Sequence, residues 1–392
     1  MTGAQWRLAT GLFVVAWGTN VSTPLILRYQ DRLDLSDTGA VGIFTVYVAG
    51  ILLALLFAGR SSDRFGRRPV VLPFTLLSAI GSLVMLAGRD SLVVLFAGRF
   101  LLGAVSGSML SVGTAWLNEL PNDRIDRLRL ATMTTLIIYA GFGFGPITSA
   151  LWDRFGEAPL VVPYLLHAVA CVVVLAVLIT LPETKPRDPS VSLRPRLGVP
   201  AEARAGFVRV LAPSSVWVFG FPSVGFALLP IVLREAVGSD AEVLVAGAIG
   251  SLTALSVLLA RPILDRMGSA RRAIPVGMWS GVAGYLVGGT AFVTDAWWLA
   301  PSAAVLLGTA SGVLMSSGLV LTEEISNDSN RGALSATFYL AAYSGMAMPV
   351  VITLLARPTS TAAALGAITV VAVVVTAGVT RQLRVLGVEA AT

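Results

Sequence analysis

Twelve nearly unbroken apolar stretches of about 20 residues, parted by short turns that carry arginine, constrain this chain more than any other feature of it. A bilayer core about 30 Å thick is crossed by about 20 helical residues, whose backbone groups must pair within their own helix. The stretches fall at approximately 7–28, 38–59, 69–88, 91–117, 130–151 and 159–181, and then at 210–233, 242–261, 272–293, 297–321, 332–355 and 361–380. A mean hydropathy of +0.81, with 55% apolar and 13% charged residues, excludes a soluble domain. Alternating ten-residue strands are absent, which argues against a barrel. The chain reads as an all-α integral membrane protein with 12 transmembrane helices.

A polar stretch divides it into an N-terminal six-helix half at 1–181, a cytoplasmic linker at 182–206 and a C-terminal six-helix half at 207–392. Assigned to alternate sides, the basic residues number 21 on the side of the termini, among them Arg7, Arg124, Lys185, Arg196 and Arg384, and six on the other. The positive-inside rule then places both termini and the linker in the cytoplasm, with the first stretch a spanning helix and not a signal peptide. The net charge of +6 therefore reports topology and no nucleic-acid partner. Lys185 is the only lysine, a bias that points to a GC-rich bacterial genome and hence to the inner membrane. The single Cys171 can build neither an internal disulfide nor a metal site. No nucleophile–base constellation or nucleotide-binding loop is present, so neither an enzyme nor an ATP-driven pump is expected.

The halves are copies. "LLGAVSGSMLSVGTAWLNELPND" from Leu101 aligns without gaps on "LLGTASGVLMSSGLVLTEEISND" from Leu306 with ten of 23 positions identical, including Gly103/Gly308, Gly107/Gly312, Asn122/Asn327 and Asp123/Asp328. "DRFG" at Asp63 is echoed by "DRMG" at Asp265. Six helices return the chain to its starting side, so the halves are expected to be related by a pseudo-twofold along the membrane normal, with a site at mid-depth between them.

Between the second and third stretches stands "GRSSDRFGRRPV", Gly59 to Val70. Gly59 would let helix ends approach, Gly66 permits a tight turn, and Arg60 and Arg68 read as solvated topological anchors. Asp63 is a carboxylate suited to a positive helix N-terminus, and the eleventh helix starts on the same face near Ser329 to Ala336. The chain length, the six-plus-six repeat and the pattern G-x-x-x-D-R-x-G-R-R at Gly59 to Arg68 together resemble the major facilitator superfamily, over essentially the whole chain. That resemblance implies alternating access, a gating turn that includes Gly59, Asp63, Arg64, Gly66 and Arg67, and an Asp63 that latches the two halves. Arg261 stands in the second half where Gly59 stands in the first, so any latch is asymmetric.

Arg99 lies about eight positions into the fourth helix, roughly 12 Å deep, where a charge costs on the order of 3 kcal/mol unless it faces a cavity or a partner. The repeat places Ala304 at the equivalent position, so the fold does not demand an arginine there. "RFLLG" from Arg99 is similar to the family's R-x-x-Q-G, with Leu102 in place of Gln, and implies proton or substrate handling; snorkelling is the bland alternative. "GFGFGPITSA" from Gly141 resembles the G-x-x-x-G-P-x-x-G-G of the twelve-helix drug/proton antiporter branch, with Ser149 and Ala150 in the last two places. Gly141, Gly145 and Pro146 are thus read as a sealing, gating interface. "LPET", Leu181 to Thr184, reads as a helix-end boundary and not as a site.

In "WGTNVSTP", Trp17 to Pro24, Gly18 and Pro24 are expected to break the first helix around Asn20. Candidate substrate contacts are Asn20, Arg99, the aromatic wall of Trp217 and Phe221, and Tyr47, Tyr139, Tyr339 and Tyr343; ordinary helix packing explains each residue other than Arg99 equally well. Arg99 and His167, the one histidine, are the proton-coupling candidates, although a lone helical histidine is more often packed or hydrogen-bonded. No carboxylate falls in the central part of any stretch, which counts against simple proton antiport. The expected function is secondary active transport by proton-coupled, multidrug-type efflux of a small, largely apolar compound. The alternative is uptake or facilitated diffusion of a small organic anion recognised by Arg99. The expected partners are that small molecule, membrane lipids and protons as coupling ion, with no cofactor or metal, and the protein is expected to be a monomer.

Overall fold

The structure, a computed structural model, describes residues 1–120, 127–195, 197–327 and 330–389. Asn122, Asp123, Arg124, Arg196, Asp328 and Ser329, named above in the repeat, the charge count and the eleventh helix, lie outside the described residues. Eleven helices among the described residues are long and apolar enough to cross a bilayer, and one apolar helix is shorter. In chain order they are α1 Gly3–Arg32, α2 Asp37–Phe65, α3 Arg68–Asp90, α4 Leu92–Glu119, α5 Arg129–Phe155, the shorter α6 Val162–Leu178, α7 Arg204–Val232, α8 Glu242–Met267, α9 Ala270–Val293, α10 Trp297–Glu324, α11 Arg331–Ala356 and α12 Thr361–Val385. No strand occurs among the described residues. This is the all-helical, twelve-span architecture that the apolar stretches require.

Two local departures carry information. α2 does not stop at Gly59 but runs on to Phe65, where Gly66 ends it with φ +99 and donates its N–H to the Ser62 carbonyl at 3.0 Å. Most of the basic motif is therefore helical. A side chain at Gly59 would meet only Ser111 Oγ, at an ordinary 3.8 Å, so the expected close approach of helix ends at Gly59 is corrected. α1 is interrupted at Val21 and not at Gly18 or Pro24. Pro24 sits in the first turn of the restarted helix at Ser22, where its missing N–H has no intrahelical acceptor to lose. Gly18 instead makes room for a ring, because a Cβ there would lie 2.0 Å from His167 Cε1.

The chain divides into two compact units. One comprises Met1–Pro195 with Val243–Ser251, and the other Arg196–Glu242 with Leu252–Thr392. In the first, Leu12, Val105, Trp116, Leu117 and Leu178 lie in a continuous buried apolar cluster. Apolar burial alone cannot hold helices together in hydrocarbon, so close backbone packing at small residues must do so. The repeat supplies it in each unit. A Cβ on Gly103 of α4 would lie 2.0 Å from the Tyr47 carbonyl oxygen of α2, and one on Gly308 of α10 would lie 2.1 Å from the Thr253 carbonyl oxygen of α8. Four residues on, Gly107 faces the Ile51 carbonyl and Gly312 the Val257 carbonyl. The duplicated glycines thus repeat one helix-pair contact.

Gly103→Ala and Gly308→Ala should each push two backbones apart and destabilise the protein by about 1–3 kcal/mol. Gly378→Ala on α12, with nothing within 4 Å of its added Cβ, should leave the thermal midpoint in detergent unchanged or slightly raised. Equal midpoints for all three variants would contradict this packing account.

Candidate functional site

Arg99 on α4 is fully buried. Its Nε donates to the Ile43 carbonyl at 3.1 Å, and its Nη1 donates to the Thr19 carbonyl at 2.8 Å and to Ser22 Oγ at 3.1 Å. The guanidinium lies over the Tyr47 ring, 4.7 Å from its centroid, and 5.8 Å from that of Phe44. Nη2 has no hydrogen-bond partner among the described residues. A buried guanidinium is thus solvated by neutral oxygens and aromatic faces, with a donor to spare and no carboxylate bonded to it. Snorkelling is ruled out by this geometry. Thr19 and Ser22, three residues apart on α1, present the carbonyl and the hydroxyl as neighbouring acceptors.

A second polar pair adjoins this cluster. The buried hydroxyls of Tyr29 and Tyr164 lie 2.7 Å apart. Tyr29 and Tyr164 were not among the sequence candidates. The signal was present on α6, where Tyr164, His167 and Cys171 recur at intervals of three and four and mark one polar edge on an otherwise apolar helix.

His167 is buried and both its ring nitrogens are engaged. Nε2 lies 3.0 Å from the Val14 carbonyl oxygen and Nδ1 lies 2.7 Å from Ser82 Oγ. A carbonyl only accepts, so Nε2 carries the proton and the serine hydroxyl donates to Nδ1. His167 ties α1, α3 and α6 together.

On α5 the glycine motif packs against α1. A Cβ on Gly141 would lie 2.5 Å from the Phe13 carbonyl oxygen, and one on Gly145 would lie 2.6 Å from the Trp17 carbonyl oxygen. Pro146 continues this helix, and Ser149 and Ala150 are buried. Asn20 joins the same contact, its amide donating to the Phe142 carbonyl at 3.3 Å. Tyr139 meets Phe142 edge-on, with ring centroids 5.7 Å apart. Asn20 and Tyr139 thus gather on the α1–α5 contact, whereas Tyr47 stays with Arg99.

In the second unit Trp217 and Phe221 of α7 form an aromatic group with Tyr285 of α9, a residue the sequence reading passed over. Ring centroids lie 5.0 Å apart for Trp217–Phe221 and 5.1 Å apart for Phe221–Tyr285. The Tyr285 hydroxyl donates to the Gly220 carbonyl at 2.6 Å. Beyond Pro222, α7 passes through a π-helical turn at Val224–Leu228, an irregularity common at functional sites. Tyr343 stacks on Phe219 with centroids 4.4 Å apart, and Tyr339 packs on Phe338.

The motif turn is a charge cluster held by the start of the linker. Arg67, only 7% exposed, makes a bidentate pair with Glu119, Nε to Oε2 at 3.0 Å and Nη2 to Oε1 at 2.7 Å. These hydrogen bonds push its already high pKa further up. Arg67 Nη1 also donates to Asp63 Oδ1 at 3.1 Å, and Lys185 Nζ lies 4.0 Å from the same oxygen. The Glu183 carboxylate accepts the backbone N–H groups of Arg67 and Arg68, both at 2.9 Å, and so caps the positive end of α3 from outside that helix. Thr184 Oγ1 donates to Glu119 at 2.7 Å. "LPET", expected to be a mere boundary, is the clamp on the turn. Gly66 is needed twice over, for its positive φ and because a Cβ there would lie 2.6 Å from Glu183 Oε2. Arg60 and Arg68, expected as anchors, donate to the Ser192 and Ile179 carbonyls at 2.6 and 2.7 Å, Arg68 thereby capping the end of α6, and Arg64 donates to the Val191 carbonyl at 3.2 Å.

Eleven long apolar helices and one shorter one among the described residues, glycine-packed in the same way in each unit, with a buried arginine and a clamped basic turn, define a multi-pass helical membrane protein. The family model of the Major Facilitator Superfamily matches residues 8–349, and the chain belongs to that superfamily. It is 34% identical over 172 residues to the multidrug resistance protein MdtL of Shigella flexneri serotype 5b (strain 8401), a match covering 43% of this chain and 42% of that protein. The MdtL protein of Escherichia coli O9:H4 (strain HS) is likewise 34% identical over the same length and coverage. The match thus spans about two-fifths of these relatives. Among solved structures, the POT family transporter PepTSo superposes with a TM-score of 0.77 at 15% identity, covering 98% of this chain and 99% of that one. A variant of the nucleoside transporter NupG superposes with a TM-score of 0.74 at 14% identity, covering 96% and 98%. At such identities these two report the fold alone.

Lys185 offers a direct test of the clamp, since a lysine-specific protease has one site in this chain. Because Pro186 follows Lys185, the protease must be one that cuts on the amino side of lysine, and Glu183→Gln should speed its cleavage before Lys185 by about fivefold, the equivalent of one lost helix cap. Gly66→Ala, which displaces Glu183, should do the same, and Gly59→Ala should not. Unchanged cleavage in Glu183→Gln and Gly66→Ala would mean that the linker start is not held by the turn.

Proposed function

We propose that this protein is a secondary active transporter of the bacterial inner membrane, with cytoplasmic termini, that works by alternating access and exports small, largely apolar compounds of the multidrug type in exchange for protons. The observation that carries this reading is the pairing of an MdtL-like sequence with an uncharged aromatic group at Trp217, Phe221 and Tyr285. These aromatic side chains are buried here, and rings of this kind suit flat lipophilic compounds and offer few fixed polar partners of the kind sugars need. The motif turn around Asp63, Gly66 and Arg67 is its gate, with Asp63 as the latch to a helix N-terminus. Asn20, Tyr139, Tyr339 and Tyr343 are further contacts for the cargo.

Of the two coupling candidates Arg99 is favoured over His167. Arg99 keeps a donor unpaired, whereas His167 has both nitrogens bonded. The same spare donor supports a second reading, in which Arg99 binds the carboxylate of a small organic anion that is taken up or equilibrated.

Flux of a substrate panel into proteoliposomes, with and without an imposed pH gradient, separates the two. Efflux of lipophilic cations driven by the gradient, lost in Arg99→Ala and retained in His167→Gln, is the expected result. Gradient-independent flux of organic anions lost in Arg99→Ala would establish the second reading. Flux of neither class above protein-free vesicles would overturn both.

A further inference from the structure

A groove of about 480 Å³ runs between α9 and α12 of the second unit, within the size range of ligand pockets. Its rim is apolar and turned outward, with Leu286, Val293 and Val370 56%, 66% and 62% exposed. Both helices are long and apolar enough to span a bilayer, so this face meets hydrocarbon and not water. Three of the four polar side chains of the wall are already engaged, the exception being the exposed Thr290. Thr294 Oγ1 donates to the Thr290 carbonyl at 2.8 Å, Thr369 Oγ1 to the Leu365 carbonyl at 2.7 Å, and the Tyr285 hydroxyl to the Gly220 carbonyl. These side chains therefore offer methyls and a ring to an occupant. Gly289 and Gly366 open the groove, with nothing closer than 3.5 Å to an added Cβ at the first and nothing within 4 Å at the second.

The length is as telling as the lining. The helices are antiparallel, and the groove runs from Thr294 and Ala362, at the end where α9 stops and α12 starts, to Tyr285 and Val370. Nine positions of helix make it about 13 Å deep, close to one leaflet of a hydrocarbon core about 30 Å thick. An empty groove of this size would forfeit dispersion contacts along its whole wall.

We infer that the α9–α12 groove is a binding site for one acyl chain of a bilayer lipid, seated parallel to the helices with its methyl end against Tyr285. Through that ring the occupant bears on Phe221 and Trp217 of α7. The site stands whatever the cargo is, since nothing in it depends on the transport reading.

The test is photocrosslinking of the full chain in phosphatidylcholine vesicles, with a diazirine placed either near the glycerol or at the acyl terminus. The glycerol-proximal probe should label the stretch around Thr294 and Ala362, and the terminal probe the stretch around Leu286 and Thr369. Gly366→Leu, which fills the groove, should lower the terminal-probe adducts about tenfold, a loss of about 1.4 kcal/mol of binding. Gly378→Leu, at an equally open position of the same helix, should leave them unchanged. Adducts without depth order, or adducts indifferent to Gly366→Leu, would overturn the assignment. So would their loss on adding a water-soluble lipophilic cation, which would give the groove to a transported solute.

Discussion

Within hydrocarbon no water is available to pair a peptide group, so every departure from helix must be answered by another part of the protein. Arg99 is where that constraint is met most completely. α1 is interrupted at Val21, and beside the interruption the Thr19 carbonyl and the Ser22 hydroxyl both accept hydrogen bonds from the guanidinium, while Tyr47 covers its face. These acceptors and that ring make the buried charge tolerable. The buried charge has no counterpart at Ala304, the equivalent position of the second copy.

The same economy governs packing. Because apolar side chains gain little by leaving lipid for one another, helix pairs are fixed by backbone contact at glycine, and the duplicated Gly103/Gly308 and Gly107/Gly312 place that contact identically on α4 and α10. A duplicated sequence thus preserves a duplicated contact, while the residues around it are free to diverge.

Spans were legible in the sequence because hydropathy and bilayer thickness leave little freedom, and the repeat was legible because close glycine contacts are costly to substitute. Partners were harder to read. That Glu183 would cap α3, more than a hundred residues earlier in the chain, follows from no local pattern; it needs the linker to return to the turn at Gly66. Tyr29, Tyr164 and Tyr285 look like ordinary membrane tyrosines until their hydroxyls are seen to find each other or a broken helix. The extension of α2 past Gly59 was hidden because charged residues in a membrane protein read as loop, although arginine and serine continue a helix without strain.

His167 carries a consequence of another kind. With one histidine in the chain, the protein holds its own spectroscopic label. A protonated Nε2 on the Val14 carbonyl and a bare Nδ1 facing Ser82 give a single imidazole with two nitrogen resonances of opposite character, placed where α1, α3 and α6 meet. Any working motion that slides α1 against α6 must lengthen one of those two bonds, and nitrogen NMR of selectively labelled histidine would see it without a probe being added or a residue changed.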